Sequence, residues 1–221
     1  MKMQMYVPDH HPRGTAFVSD RGLKRLLSVY TICQKVSGED WLMKSIVICG
    51  DSGDGILTHT IISACEHYGG VLTADSGMIC PEGKEPDFLV RNVDTLSAVD
   101  GKGILVLGER LCPVPTDIQI GDVITIVDSN NEAALQLLKR TGKTVIGCSM
   151  SDRDTMTLSE RHESGCLVCV RRTLTTWDGQ TIEPCEIPVS VGEEIPVFAV
   201  LAACSVLLLC DSPYEEGYIM D

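Results

Sequence analysis

A continuous apolar run, Ser45-Ile46-Val47-Ile48-Cys49, ends in Gly50-Asp51-Ser52-Gly53-Asp54-Gly55, and an amphipathic stretch from Ile56 to Tyr68 follows at once. No other feature of the 221-residue chain constrains its fold so tightly. An apolar run without alternation is the pattern of a strand covered on both faces. Ile56, Leu57, Thr60, Ile61, Ala64 and Cys65 recur at helical spacing. The glycines between them let the backbone take positive φ, and they admit a ligand close to the main chain. A strand handed to a helix through such a turn predicts a parallel sheet with helices on both faces.

The rest of the chain continues that pattern and then changes style. Val71–Ala74, Phe88–Arg91, Ile104–Gly108, Val123–Val127 and Thr144–Cys148 are further strand candidates. Ser129-Asn130-Asn131-Glu132 has the S-x-x-E form of a capping box. It predicts a helix over Glu132–Arg140 with Ala133, Leu135 and Leu138 inward and a basic last turn that suits the helix dipole. Beyond it, Thr155–Ser159, Cys166–Thr173 and Thr181–Val189 read as strands, and Trp177-Asp178-Gly179-Gln180 carries the Asp-Gly signal of a hairpin turn. Ile195–Cys210 is almost wholly apolar. It falls short of the roughly 20 residues that span a bilayer and has no flanking Lys or Arg, so it predicts a buried helix. The expected fold is a three-layer α/β domain: a mostly parallel sheet with a P-loop/Rossmann-like glycine-rich turn, a C-terminal β-hairpin and an apolar helix.

Charge and cysteine content narrow the function classes. The chain carries 31 acidic and 18 basic residues, a net charge of −13. Without a basic stripe it is a poor ligand for a phosphate backbone, so nucleic acid is not an expected partner. Residues 1–42 hold six basic and four acidic residues, so the other residues carry −15. With Pro8, Pro12 and a single amphipathic stretch from Gly22 to Lys35, this segment reads as an appendage, and the domain is expected over 43–221. The 11 cysteines follow no signal-peptide pattern and sit mainly in apolar runs. Cysteine there behaves as a small buried hydrophobe, which fits a reducing cytoplasm.

The glycine-rich turn is the first candidate site. A helix N-terminus offers N–H groups and partial positive charge to phosphate. A P-loop, G-x-x-x-x-G-K-[ST], adds a lysine on the β/γ-phosphates; here Asp54, Gly55 and Ile56 stand in that region, and the dinucleotide fingerprint G-x-G-x-x-G is not matched. Asp51 and Asp54 repel phosphate by about 4 kcal/mol for charges 4 Å apart at an effective dielectric near 20. Two readings stay open. The turn is a tight strand-to-helix connection with acidic capping, or it takes Mg²⁺ with a nucleotide or a hydroxyl-bearing ligand. The candidate binding residues are Gly50, Asp51, Ser52, Gly53, Asp54 and Gly55, joined by Asp128 and Asn130 at the end of another strand and by the loop after Ser149, at the carboxyl edge where open α/β sheets bind ligands. Ser151-Asp152-Arg153-Asp154 is placed near the same edge.

Other motifs have simpler explanations. Thr141-Gly142-Lys143-Thr144 follows a helix, where a C-terminal glycine accounts for it. Cys166 and Cys169 lie three apart on a strand and point to opposite faces, so neither a metal site nor a redox pair is expected. His59, His67 and His162 are isolated.

Over residues 45–210 these segments resemble the central domain of the Mur ligases, ATP-dependent enzymes that add amino acids to peptidoglycan precursors. Ser45–Gly55 stands where that family has a strand and a G-T-N-G-K-T-[ST] loop. Ile124-Thr125-Ile126-Val127-Asp128-Ser129-Asn130-Asn131 resembles its strand ending in an Asn/Asp-rich turn. Thr144–Ser149, the Cys166–Val189 hairpin region and Phe198-Ala199-Val200-Leu201-Ala202-Ala203 keep the family's order of elements. The resemblance implies the fold more than the activity. Asp54 or Gly55 replaces the phosphate lysine, Glu193-Glu194-Ile195-Pro196 stands where the family has a His-Asn segment, and the chain ends at Asp221 where the family continues into a ligase domain. No turnover by this chain alone is expected; a regulatory or binding role, with a small phosphorylated ligand or a protein partner, is. Gly50–Thr58 is also similar to the G-x-G-G-Q-G-[VI] opening of gamma subunits of 2-oxoacid:ferredoxin oxidoreductases, which implies an enzyme subunit working with a redox partner. A structural partner protein without a small ligand is the third reading.

Overall fold

Lys44–Cys49 form β1, whose two faces are both apolar: Ile46 and Ile48 enter one core, Val47 and Cys49 the other. The computed structural model describes residues 43–50, 55–73, 77–79, 86–93, 98–99, 102–109, 119–143, 145–192 and 194–220. The expected appendage, 1–42, lies outside them, as do Asp51–Asp54. Residues Leu42–Asp221 make one compact unit.

β1 sits between β4 (Phe88–Val93) and β6 (Gly103–Leu107), both parallel to it. On one side β8 (Val123–Asp128) and β9 (Val145–Cys148) continue the parallel ladder. On the other, β2 (Val71–Thr73) pairs parallel with β4 and antiparallel with β3 (Gly77–Ile79). The same sheet then runs on through a hairpin region. β10 (Met156–His162) joins β9, and β11 (Gly165–Val170) and β14 (Cys185–Val191) add antiparallel strands. β15 (Tyr218–Met220) closes the edge parallel to β14. The result is an 11-stranded, mostly parallel sheet. Two small ladders stand apart: β5 (Ala98–Val99) with β7 (Gln119–Ile120), and β12 (Leu174–Thr175) with β13 (Thr181–Ile182).

The layers follow from side-chain alternation. Helices α1 (Ile56–Glu66) and α3 (Val197–Leu209) share a core with Ile46, Ile48, Val106 and Ile126. Helix α2 (Glu132–Thr141) covers the other face through Ala134, Leu137 and Leu138 against Val47, Leu105 and Val127. This is the expected three-layer α/β arrangement. Every residue from Phe198 to Leu209 is buried. A helix apolar all round has to be enclosed: α3 touches α1 as well as β8, β9 and β10. Its end is fixed at several points. Trp177 N donates to Leu209 O at 2.7 Å, and Lys44 Nζ donates to Cys210 O. Ser212 N and Asp211 N return to the carbonyls of Leu207 and Leu208, both at 3.0 Å, with Asp211 at φ 59 in the position that glycine usually takes. Among the described residues no helix is long and apolar enough to cross a membrane.

Several expectations need correction. The cap of α2 is Asn131, whose side chain accepts from Ala134 N, and Ser129 is drawn away to Asp154. The inward set shifts with it: Ala134, Leu137 and Leu138 are buried, while Ala133 is exposed and Leu135 half-buried. The strand expected over Thr155–Ser159 runs on to His162. The one expected over Cys166–Thr173 ends at Val170, and the one over Thr181–Val189 divides into β13 and β14, because the Asp-Gly turn belongs to the separate β12–β13 hairpin. Gly179 in that turn has φ 82, and Gly142 ends α2 at φ 64, both as the turn chemistry requires.

Candidate functional site

Strand register builds the site. Cys49 pairs with Leu107, Leu107 with Val127, and Asp128 with Cys148. Gly50, Gly108, Asp128 and Cys148 therefore form one row along the carboxyl edge, about 5 Å apart from strand to strand. At the β1 end, Gly50 has φ 81 and Gly55 has φ 70, and Gly55 caps α1 without a side chain. Both glycines hold a backbone conformation most residues resist; Gly50 directly follows β1 and Gly55 directly precedes α1.

A hydrogen-bond chain ties this edge together. Gly108 N donates to Cys49 O at 2.8 Å. Asn131 Nδ2 donates to Gly108 O at 2.8 Å while its Oδ1 accepts from Ala134 N at 3.0 Å, so one side chain both caps α2 and holds the end of β6. Asp128 is buried. Its Oδ1 accepts from Asn130 N at 2.8 Å and Asn130 Nδ2 at 2.9 Å, which leaves Oδ2 uncommitted among the described residues. By strand alternation Asp128 lies on the face of Ile126, the face that carries α1.

Asp154 has a different role from the ligand contact its segment was placed for. Its carboxylate is buried and accepts from the hydroxyls of Ser129 and Ser149. A Cβ on Gly147 would stand 2.6 Å from Ser129 Oγ and 2.7 Å from Asp154 Oδ1, so Gly147 is the space this carboxylate occupies. Asp154 is thus the clasp that holds the β8 and β9 ends in place. Nearby, Arg171 pairs with Asp152 at 2.7 Å and Arg172 donates to Arg153 O at 2.7 Å, all on the exposed outside.

The thiols near this edge are held protonated by burial. Burial pushes the Cys148 thiol up to about 12, with a partial offset from its contact with Ser205 Oγ. Burial also raises Cys65 and Cys204 well above the ordinary value and takes Cys210 to about 12. A thiol acts as nucleophile only as thiolate, so these are packing groups. Cys166 faces the α3 core and Cys169 reaches Glu186 on the other face at 3.6 Å, as expected. His59, His67 and His162 are exposed.

Of the predicted binding residues, Gly50, Gly55, Asp128 and Asn130 stand on this one edge. Asp51, Ser52, Gly53 and Asp54 lie outside the described residues. Sequence reasoning missed Gly108 and the double role of Asn131; the Asn that directly precedes the helix was the available signal.

No protein-family model matches the chain, and no curated protein does. Solved structures do. MurF ligase from Thermotoga maritima, solved in complex with ADP, superposes with a TM-score of 0.50 at 8% identity, over 93% of this chain and 54% of its own. The fold is Mur ligase-like over the part the two share. The UDP-N-acetylmuramate:L-alanyl-gamma-D-glutamyl-meso-diaminopimelate ligase of Neisseria meningitides gives a TM-score of 0.50 at 10% identity, over 90% of this chain and 73% of its own. The chain thus spans about half the length of the first Mur ligase it matches.

Proposed function

We propose that this chain is a non-catalytic binding or regulatory module on a Mur ligase-like domain. It takes a small phosphorylated ligand, a nucleotide by preference, at the carboxyl edge of its sheet. One observation carries the reading: two left-handed glycines, Gly50 and Gly55, lead the central parallel strand into a helix start that has no side-chain cap. Such a start is a ready anion site. The ADP in the Thermotoga MurF structure supports a nucleotide as the ligand class.

The sequence of the turn supports binding without ligation. Asp54 or Gly55 stands where the Mur loop has its lysine, and Asp54 brings a carboxylate there. Exchanging an ammonium for a carboxylate removes an attraction and adds a repulsion of about 4 kcal/mol, roughly a thousandfold in affinity. A nucleotide held here needs Mg²⁺ to offset that charge. The uncommitted Oδ2 of Asp128 on the α1 side of the edge is a hard oxygen donor that fits such an ion, and it would anchor the ion while the metal neutralises the phosphates. The buried, protonated thiols fit a reducing cytoplasm.

The test is thermal melting of the full chain with ADP, ATP and UDP, each with and without Mg²⁺, beside a phosphate-release assay. At a hundredfold excess over Kd a bound ligand adds about 2.7 kcal/mol of stability. The expected result is a Mg²⁺-dependent rise in Tm with a nucleotide and no phosphate release above buffer. Turnover of ATP, or no response to any of the three, overturns the reading.

A further inference from the structure

Arg91 stands on β4, opposite Val47 of β1. Alternation puts it on the α2 face, with Val47 and Cys49 as neighbours and Val93 the next residue on that face at the strand's carboxyl end. It therefore lies one side-chain row beneath the edge from which the Gly50 turn departs, on the opposite face from α1.

Arg91 itself is half-buried, and among the described residues one of its donors is left unanswered. Arg91 Nε is buried and has no hydrogen-bond partner. Other half-buried cations in the structure are engaged. Lys44 Nζ meets Cys210 O and lies 5.8 Å from the centre of the Phe88 ring. Arg161 Nη2 donates to Ile195 O at 2.7 Å and Gly192 O at 3.2 Å. Buried charges are normally paired, and an unanswered buried donor calls for a specific explanation, a bound ion among them. The chain outside residues 1–42 carries −15, so an arginine left without a carboxylate partner is not a consequence of too few acids.

We propose that Arg91 is the anchor of an anion site on the α2 face of the carboxyl edge, which takes a phosphate-type oxyanion through its guanidinium N–H groups. The fork of donors matches two oxygens of a phosphate at once. The site is distinct from the Gly50–Gly55 turn: it uses a side-chain cation on the other face, where the turn uses main-chain N–H groups at a helix start.

The experiment is thermal melting of the full chain against inorganic pyrophosphate, with sodium chloride at equal ionic strength as control, for wild type, Arg91→Leu and Arg91→Lys. Wild type is expected to melt higher with pyrophosphate than with chloride. Arg91→Leu removes a buried donor that has no partner among the described residues, so it should melt at or above wild type without ligand and bind pyrophosphate about 10- to 100-fold more weakly. Arg91→Lys, which keeps the charge without the fork, should fall between. A pyrophosphate response unchanged in Arg91→Leu overturns the proposal and leaves an anion site at the turn. No response in wild type overturns it as well, and a Mg²⁺-dependent nucleotide response in the same protein would show that the turn reading survives alone.

Discussion

The two faces of the central sheet are finished to different standards. On the α1/α3 side the buried hydroxyls are answered: Thr60 donates to Ile56 O at 2.8 Å and Ser205 to Leu201 O at 2.7 Å. On the α2 side two buried polar atoms, Arg91 Nε and Thr125 Oγ1, have no partner. Thr125 is fully buried and lies in register between Leu105 and Val145. Beyond the end of α3, Asp211 Oδ2 is also buried without a partner among the described residues, so the contrast concerns the sheet-facing positions alone. There an enclosed helix with answered hydroxyls describes a face built for stability, and unanswered polar groups describe one where stability was given up; such departures gather at functional sites.

That contrast can be broken in several ways, the largest being alkaline pH. Burial pushes the thiols of Cys148 and Cys210 up to about 12 from an ordinary 9.0, and both belong to the α1/α3 core. A raised folded-state value means the unfolded chain loses its proton first. The stability is therefore complete below pH 9 and declines as pH climbs toward 12, by about 1.4 kcal/mol per thiol per pH unit. At pH 10.5 the two together should cost about 4 kcal/mol. Cys65 and Cys204 of the same core are raised as well, so urea denaturation from pH 7 to 11 should show a larger total loss, and Cys148→Ala should remove only its own share of the slope, about 1.4 kcal/mol per pH unit. A pH-independent midpoint would mean that the α1/α3 face is more open than described.

Next in size is truncation of the enclosed helix. Leu201 is fully buried on α3. Leu201→Ala is expected to cost about 3–5 kcal/mol, the upper part of the range for a buried leucine. Leu137→Ala, at the edge of the smaller α2 core, should cost about 2 kcal/mol. Equal losses by urea denaturation would erase the distinction between the faces. The smallest effect runs the other way. Thr125→Val keeps the shape and removes an unanswered hydroxyl, so it should add about 1 kcal/mol. A loss in that variant would reveal a partner for Thr125.

The strands were legible because β1, β6 and β8 are buried on both faces and leave unbroken apolar runs. The enclosed helix was legible for a similar reason, since Val197–Leu209 has no polar face to place in water. The edge was harder. Ser129-x-x-Glu132 satisfies the local rule for a capping box, yet Ser129 is taken by Asp154, 25 positions away. A local pattern does not register a distant competitor. Asn131 then takes the cap, and Ala134 and Leu137 take the inward places expected of Ala133 and Leu135. Arg91 was invisible for the same reason: only the register of β4 against β1 shows it beside Val47. Asp128 and Asn130 were found because an Asp-Ser-Asn-Asn turn after an apolar run marks a strand end in any α/β chain.

The charge of the turn carries most weight in this account, and Asp54→Lys tests it directly. Calorimetric titration of ADP into the full chain, with Mg²⁺ at a fixed concentration, should show tighter binding in Asp54→Lys than in wild type by at least about tenfold, since a repulsive charge becomes an attractive one. Unchanged or weaker ADP binding in that variant would contradict the account, because the phosphates would then lie away from the Gly50–Gly55 turn.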